Sequence, residues 1–247
     1  MAPTEKTIIL ITGANSGIGF ELAAQLLSNA SNHVLLGSRS VEKGEAAVKE
    51  LQSRNLPGTV ELIQLDVASE DSIFAAAKEV ESKHSRLDAL VNNAAVAGSS
   101  GSFAQRLNEC FRTNATGPAV MVEAFAPLLE KSASTPRIVN VTSGGGSIAM
   151  RLDPNGPGKN IKNVQYRASK SALNMVMACQ AVEYGPRGWK VFAFCPGYTA
   201  SNLSASNKVE LGAQPTSEGA APIVDILDGK RDGEHGGYLH AKGQYAW

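Results

Sequence analysis

The sequence predicts an α/β fold: a doubly wound parallel sheet of about seven strands with helices on both faces, in one domain spanning residues 1–247. Three observations carry that expectation. Apolar, strand-like runs alternate with helical patterns from one end of the chain to the other, which implies right-handed crossovers. The first run, Thr7-Ile8-Ile9-Leu10-Ile11, is short, rich in β-branched residues and uncharged, as a strand covered on both faces must be. A chain of 247 residues suits one large domain, and no linker-like stretch divides it. At that size roughly 70% or more of the unfolded surface can be buried, so disulfides are not needed.

The elements follow in order. Thr12-Gly13-Ala14-Asn15-Ser16-Gly17-Ile18-Gly19 comes directly after the first strand, and a helical pattern opens at Gly17 with Phe20, Leu22, Ala23, Leu26 and Leu27. Further strands are expected at 33–36, 60–65, 87–91, 137–141 and 190–194, with a last one at 237–240. Helices are expected near 42–53, 70–83, 104–131 and 165–184. Two stretches break the rhythm. Residues 144–164 are rich in Gly, Pro and Asn and read as a long loop. Residues 199–216 are polar and weakly patterned, and composition leaves a substrate-binding lid and a plain surface excursion both open.

In a doubly wound sheet ligands bind beyond the C-terminal strand ends, so the chemistry is sought there. Strand, glycine turn and helix N-terminus together make a pyrophosphate seat from Gly13, Ser16, Gly17, Ile18 and Gly19. The spacing is not G-x-G-x-x-G, and taken alone such a turn can be purely structural. The second strand ends in Ser38-Arg39, where a carboxylate would otherwise select the ribose 2′-hydroxyl of NAD(H). Without that carboxylate, and with a guanidinium able to grip a 2′-phosphate, the pair points to NADP(H) in preference to NAD(H); a solvated arginine is the plain alternative. Asp66-Val67 ends the third strand, with Asp66 either meeting an adenine amino group or capping the helix near Ser69. Asn92-Asn93-Ala94 ends the fourth, where small residues let a ribose or phosphate lie close.

Tyr166 and Lys170 stand at i and i+4, on one face of a helix. A protonated lysine beside a phenol favours phenolate by charge, against a free value near ~10. Ser143 closes the fifth strand and Asn114 sits in the long helical stretch.

Composition excludes several function classes. The 23 basic and 23 acidic residues cancel and form no basic stripe, which argues against nucleic acid or an anionic membrane as partner. Cys110, Cys179 and Cys195 are widely spaced in apolar surroundings and read as buried thiols, not metal ligands. His33, His84, His235 and His240 show no catalytic spacing and read as surface or packing residues. No apolar segment reaches the length of a membrane span, and the N-terminus lacks a signal-peptide pattern, so a cytoplasmic setting is expected.

These residues in this order resemble the short-chain dehydrogenase/reductase family, over nearly the whole chain. T-G-x-x-x-G-x-G is met by Thr12 to Gly19, and N-N-A-G is nearly met by Asn92 to Ala95, with alanine in the last place. Pro196-Gly197 follows the sixth strand, then Tyr198-Thr199-Ala200-Ser201. Cys195-Pro196-Gly197-Tyr198-Thr199 and the terminal Trp247 look like plant, fungal and bacterial carbonyl reductases. The resemblance implies a Rossmann fold and a tetrad of Asn114, Ser143, Tyr166 and Lys170. In that tetrad Tyr166 is general acid/base, Ser143 donates to the substrate oxygen, Lys170 holds the nicotinamide ribose and Asn114 positions a relay water. Pro196, Gly197 and Thr199 would hold the carboxamide end. It further implies a ketoreductase-type oxidoreductase of secondary metabolism acting on the ketone or secondary alcohol of a small molecule, as a homodimer or homotetramer. The long loop after Ser143 leaves a monomer open. A regulator that senses NADP(H) without chemistry, and a cyclase or isomerase using the fold without net redox change, are the competing readings.

Overall fold

The computed structural model describes residues 6–98, 100–156 and 160–247. The strands are β1 (Thr7–Ile11), β2 (Asn32–Ser38), β3 (Thr59–Gln64), β4 (Ala89–Asn92), β5 (Arg137–Val141), β6 (Lys190–Phe194), β7 (Tyr238–His240) and β8 (Gly243–Gln244). They form one sheet in the order β3-β2-β1-β4-β5-β6-β7-β8, parallel except for the two-residue β8, which returns against β7. The helices are α1 (Gly17–Leu27), α2 (Val41–Ser53), α3 (Glu70–His84), α4 (Phe103–Phe111), α5 (Gly117–Leu129), α6 (Ile148–Leu152), α7 (Val164–Tyr184) and α8 (Thr216–Leu227).

The two faces of β1 show why its run carries no charge. Ile8 and Leu10 pack with Ile73 and Val80 of α3, Phe125 of α5 and Met177 of α7. Ile9 and Ile11 turn the other way, onto Leu22 of α1, Leu51 of α2 and Ile223 of α8. Full burial of such a side chain contributes about 1.5–3 kcal/mol, so a charge on either face would be expelled. Strand β1 lies between β2 and β4, the point where the sheet order reverses, and a crevice therefore opens beside its C-terminal end.

Asp88 clamps the other end of this region. Its carboxylate accepts from the N–H of Ile8 (2.8 Å) and of Ala133 (2.9 Å) and from Ser132 Oγ (2.7 Å), with Arg86 Nε at 3.4 Å. Asp88→Ala strands two backbone donors and is expected to lower the unfolding free energy by about 2–4 kcal/mol. Urea titration reads this directly, and an unchanged midpoint would contradict it.

The structure corrects four expectations. The helix expected over 104–131 is interrupted by a π-helical turn at Arg112–Thr116, whose wider winding swings Asn114 inward. The loop expected over 144–164 contains a 3-10 turn at Gly144–Gly146 and the short α6, started by Ser147 Oγ accepting from Met150 N (3.0 Å); residues 157–159 of it lie outside the described residues. Helix α8 was not expected, because Gly219 and Pro222 disrupt its pattern. Yet Ala220, Ile223 and Ile226 are fully buried, and a Cβ on Gly219 would lie 2.7 Å from Thr199. Cys110 and Cys195 are buried as read, but Cys179 is exposed, on the outer side of α7 beside Met175 and Val182.

Candidate active site

A cleft of about 1210 Å³ runs across the C-terminal strand ends. At its floor Gly13 and Gly17 adopt φ of 62° and 61°, left-handed conformations that favour glycine. Thr12 Oγ1 accepts from the N–H groups of Asn93 and Ala94 (3.0 Å each), and Asn93 Nδ2 donates to Thr12 O (2.9 Å), tying this turn to the end of β4. A Cβ on Gly19 would lie 2.5 Å from Asn93 Nδ2, so Gly19 serves the packing behind the turn and does not line the cleft. Gly13, Ser16, Gly17, Ile18, Asn93 and Ala94 do line it. Asn92 does not: its side chain is buried and donates to Asn140 Oδ1 (2.9 Å).

The N-terminus of α1 carries no side-chain cap, as is also true of α5, α7 and α8. Ser40, Ser69 and Ser102 cap α2, α3 and α4 with their side chains, whereas Ser16 makes no side-chain cap. The first-turn N–H groups of α1 thus face the cleft in an arrangement that suits a phosphate. These donors, the two left-handed glycines and the elongated cleft fit a dinucleotide.

At the end of β2, the Ser38 hydroxyl is turned inward and donates to Ser40 O (2.8 Å), while Arg39 is exposed at the cleft wall. Lys43, one turn along in α2, joins it there. The sequence reading missed Lys43, although its i+4 spacing from Arg39 was available. Asp66 Oδ1 accepts from Ala68 N (2.9 Å), and Ser69 is the cap of α3, so Asp66 is a cleft-wall residue beside Val67 and not a helix cap.

Ser143, Tyr166 and Lys170 meet at the centre of the cleft. Ser143 stands two residues beyond β5, its Oγ accepting from Gly145 N (3.1 Å) and close enough to the Tyr166 phenol to favour its ionised form. Tyr166 and Lys170 share one face of α7, with Lys170 Nζ 5.8 Å from the phenol ring centroid. That ammonium is 2% exposed and donates to Val141 O (2.8 Å). Burial lowers the Lys170 pKa to about 8. It raises that of Tyr166 well above the ordinary phenol, against the smaller opposing effect of Ser143. Burial therefore outweighs the charge effect expected to favour phenolate.

Asn114 is fully buried and does not line the cleft. It holds the backbone of Val96 by both side-chain atoms, Oδ1 to the N–H (2.9 Å) and Nδ2 to the carbonyl (2.8 Å), and Nδ2 also donates to Ser169 Oγ (2.9 Å). Pro196, Gly197 and Thr199 line the far side, where the Thr199 hydroxyl donates to Pro196 O (3.0 Å) and Gln214 Nε2 donates to Thr199 Oγ1 (3.0 Å). Asn202, Leu203 and Asn207 from the following segment add to this wall. Tyr198, Tyr245 and Cys195 also line the cleft, although the sequence reading gave none of them a role there. Cys195 Sγ accepts from Gly144 N (3.0 Å), and burial pushes its thiol up. Tyr245 comes from the C-terminal tail, where no local pattern marks it.

Glycine turn, uncapped helix and an α7 tyrosine–lysine pair on one cleft define a nucleotide-binding α/β protein. The family described as short chain dehydrogenase matches residues 7–211. The chain is 39% identical over 230 residues to the short-chain dehydrogenase anuI of Penicillium roqueforti, covering 91% of this chain and 89% of that one. It is 34% identical over 255 residues to the short-chain dehydrogenase/reductase tropE of Talaromyces stipitatus, covering 96% of each. An NADPH-bound carbonyl reductase from chicken fatty liver superposes with a TM-score of 0.81 at 26% identity, covering 98% of this chain and all of that one. The chain belongs to the short-chain dehydrogenase/reductase family of nicotinamide-dependent oxidoreductases. No helix among the described residues is long and apolar enough to cross a membrane.

Proposed function

We propose that this enzyme is an NADP(H)-dependent reductase of a ketone on a small, fairly apolar metabolite, with Tyr166 as the proton donor. The observation that carries the reading is the meeting of Ser143, Tyr166 and Lys170 on a cleft whose other end is the uncapped N-terminus of α1. The N–H groups of that helix and the Gly13–Gly17 turn would hold the pyrophosphate, and Lys170 the nicotinamide ribose. Pro196, Gly197 and Thr199 would hold the carboxamide. A bound nicotinamide supplies the hydride.

Hydride arrival at a carbonyl carbon leaves charge on its oxygen. Ser143 donates a hydrogen bond to that oxygen, and Tyr166 transfers its phenolic proton to it. The raised pKa of Tyr166 keeps that proton in place until the oxygen is basic enough to take it. Asn114 acts by holding the Val96 backbone against α7, and we assign it a positioning role instead of a water relay. Residues 199–216 form the substrate-side lid. The resemblance of the chain to fungal short-chain dehydrogenases supports a place in secondary metabolism, and a homodimer or homotetramer is the expected assembly.

NADPH absorbance followed across a panel of ketones tests the activity. The expected result is turnover on at least one ketone. Tight NADPH binding without turnover would favour the sensor, and product formed without NADPH loss would favour a cyclase or isomerase.

Arg39 and Lys43 support the 2′-phosphate assignment, because both are cations on the cleft wall where NAD-selective sites place a carboxylate. Arg39→Asp is expected to weaken NADPH by about 1.5–3 kcal/mol, a charge-assisted hydrogen bond's worth, and to favour NADH relatively. Equal affinity of the wild type for the two cofactors would contradict the assignment.

A further inference from the structure

His33, Glu61 and His84 converge on β2, β3 and the last residue of α3, at the end of the sheet away from the cleft. Their candidate ligand atoms all lie within 4.8 Å of one another. His84 Nε2 is 2.6 Å and His33 Nε2 3.9 Å from the same Glu61 oxygen, and the two rings are 5.0 Å apart. His33 Nδ1 is hydrogen-bonded to Thr59 Oγ1 (2.7 Å), which also accepts from Lys6 Nζ (3.0 Å). His33 Nε2 is buried and has no hydrogen-bond partner among the described residues.

That atom's recorded charged neighbour is the Glu61 oxygen at 3.9 Å, beyond hydrogen-bond reach. An imidazole with one nitrogen fixed by an oxygen and the other left bare is the form in which histidine ligates a metal. The side chains are 16%, 31% and 16% exposed for His33, Glu61 and His84, which leaves an entry from solvent on the carboxylate side.

We propose that His33, Glu61 and His84 form a binding site for a zinc-type divalent transition-metal ion. Nε2 of each histidine and one Glu61 oxygen are the ligands, with water completing a tetrahedron. Bonds of about 2.0–2.1 Å put tetrahedral ligand atoms roughly 3.3–3.4 Å apart. The 2.6 Å contact must open by somewhat less than an ångström and the 3.9 Å contact close by about half of one, within reach of side-chain rotation. Two imidazoles and one carboxylate suit zinc and disfavour calcium and magnesium, which require oxygen shells. The nearby Lys6 ammonium tempers the affinity. Such an ion would staple the edge strand β3 to β2 and α3. His33 is five residues before Ser38 along β2, about 16–17 Å, so the ion is a structural clamp and takes no part in the chemistry of the cleft.

The test uses the full chain, loaded with Zn²⁺ in competition with a chromogenic chelator, alongside His33→Gln and Glu61→Gln. Expected is one ion per chain, binding weakened about tenfold or more in each variant, and a zinc-dependent rise in Tm that both variants lose. Co²⁺ should give visible d–d bands without a thiolate charge-transfer band, since the site holds no cysteine. Absence of binding, unchanged binding in either folded variant, or thiolate bands pointing to the exposed Cys179 would overturn the proposal.

Discussion

Tyr166→Phe is expected to lower kcat by about 10²–10⁴, the range a positioned general acid contributes, while NADPH affinity stays near that of the wild type. The two side chains fill nearly the same volume, so the loss isolates the phenolic proton. Burial keeps Tyr166 protonated far above neutral pH, and the variant cannot substitute a neighbouring donor because Ser143 is a poorer acid at the same oxygen. Single-turnover measurements of ketone reduction, set beside steady-state KM, separate this from a binding defect: KM should change little and the chemical step should collapse. Full turnover by the variant on a genuine substrate would remove Tyr166 from the mechanism.

Lys170→Met is expected to abolish most turnover while making the protein more stable. The ammonium is 2% exposed, and its pKa falls from 10.5 to about 8, so its charge costs the folded state about 3 kcal/mol at neutral pH. The lost hydrogen bond to Val141 O returns about 1 kcal/mol of that, and methionine fills a similar volume. A net gain of roughly 2 kcal/mol should raise Tm by about 4–8 °C. The sign of the pH dependence follows from the lowered value. Between pH 8 and 10.5 the unfolded lysine binds the proton and the folded one does not, so this group's contribution to stability improves as pH rises through that window and is at its worst below it. The variant should lose that rise. In the wild type kcat/KM for reduction should fall on the basic side near pH 8, where Lys170 loses its charge. Thermal scans of both proteins across this range check the claim, and a lower Tm for the variant at neutral pH would contradict it.

What the sequence disclosed follows from how each signal is encoded. Strands β1, β5 and β6 are covered on both faces, so their apolar runs stand out. The glycine turn is visible because Gly13 and Gly17 occupy left-handed backbone conformations. Tyr166 and Lys170 are visible because one helical turn brings them together. Where tertiary contact decides, the signal vanishes. Helix α8 exists despite Gly219 and Pro222, because Ile223 and Ile226 are buried against the sheet and Gly219 must clear Thr199. The inward turn of Asn114 depends on a π-helical insertion that no periodicity announces. Tyr245 reaches the cleft only because the C-terminal tail folds back beside Gly144, and the exposure of Cys179 depends on which side of α7 the sheet covers.

In the proposed mechanism hydride passes between a nicotinamide held by Lys170, Pro196, Gly197 and Thr199 and a carbonyl held by Ser143 and Tyr166. Turnover with NADPH carrying deuterium at the transferring C4 position, followed by mass analysis of the alcohol, measures this directly. The account predicts one deuterium at the new carbinol carbon and none elsewhere. An alcohol without deuterium, or consumption of ketone with the labelled cofactor intact, would contradict it.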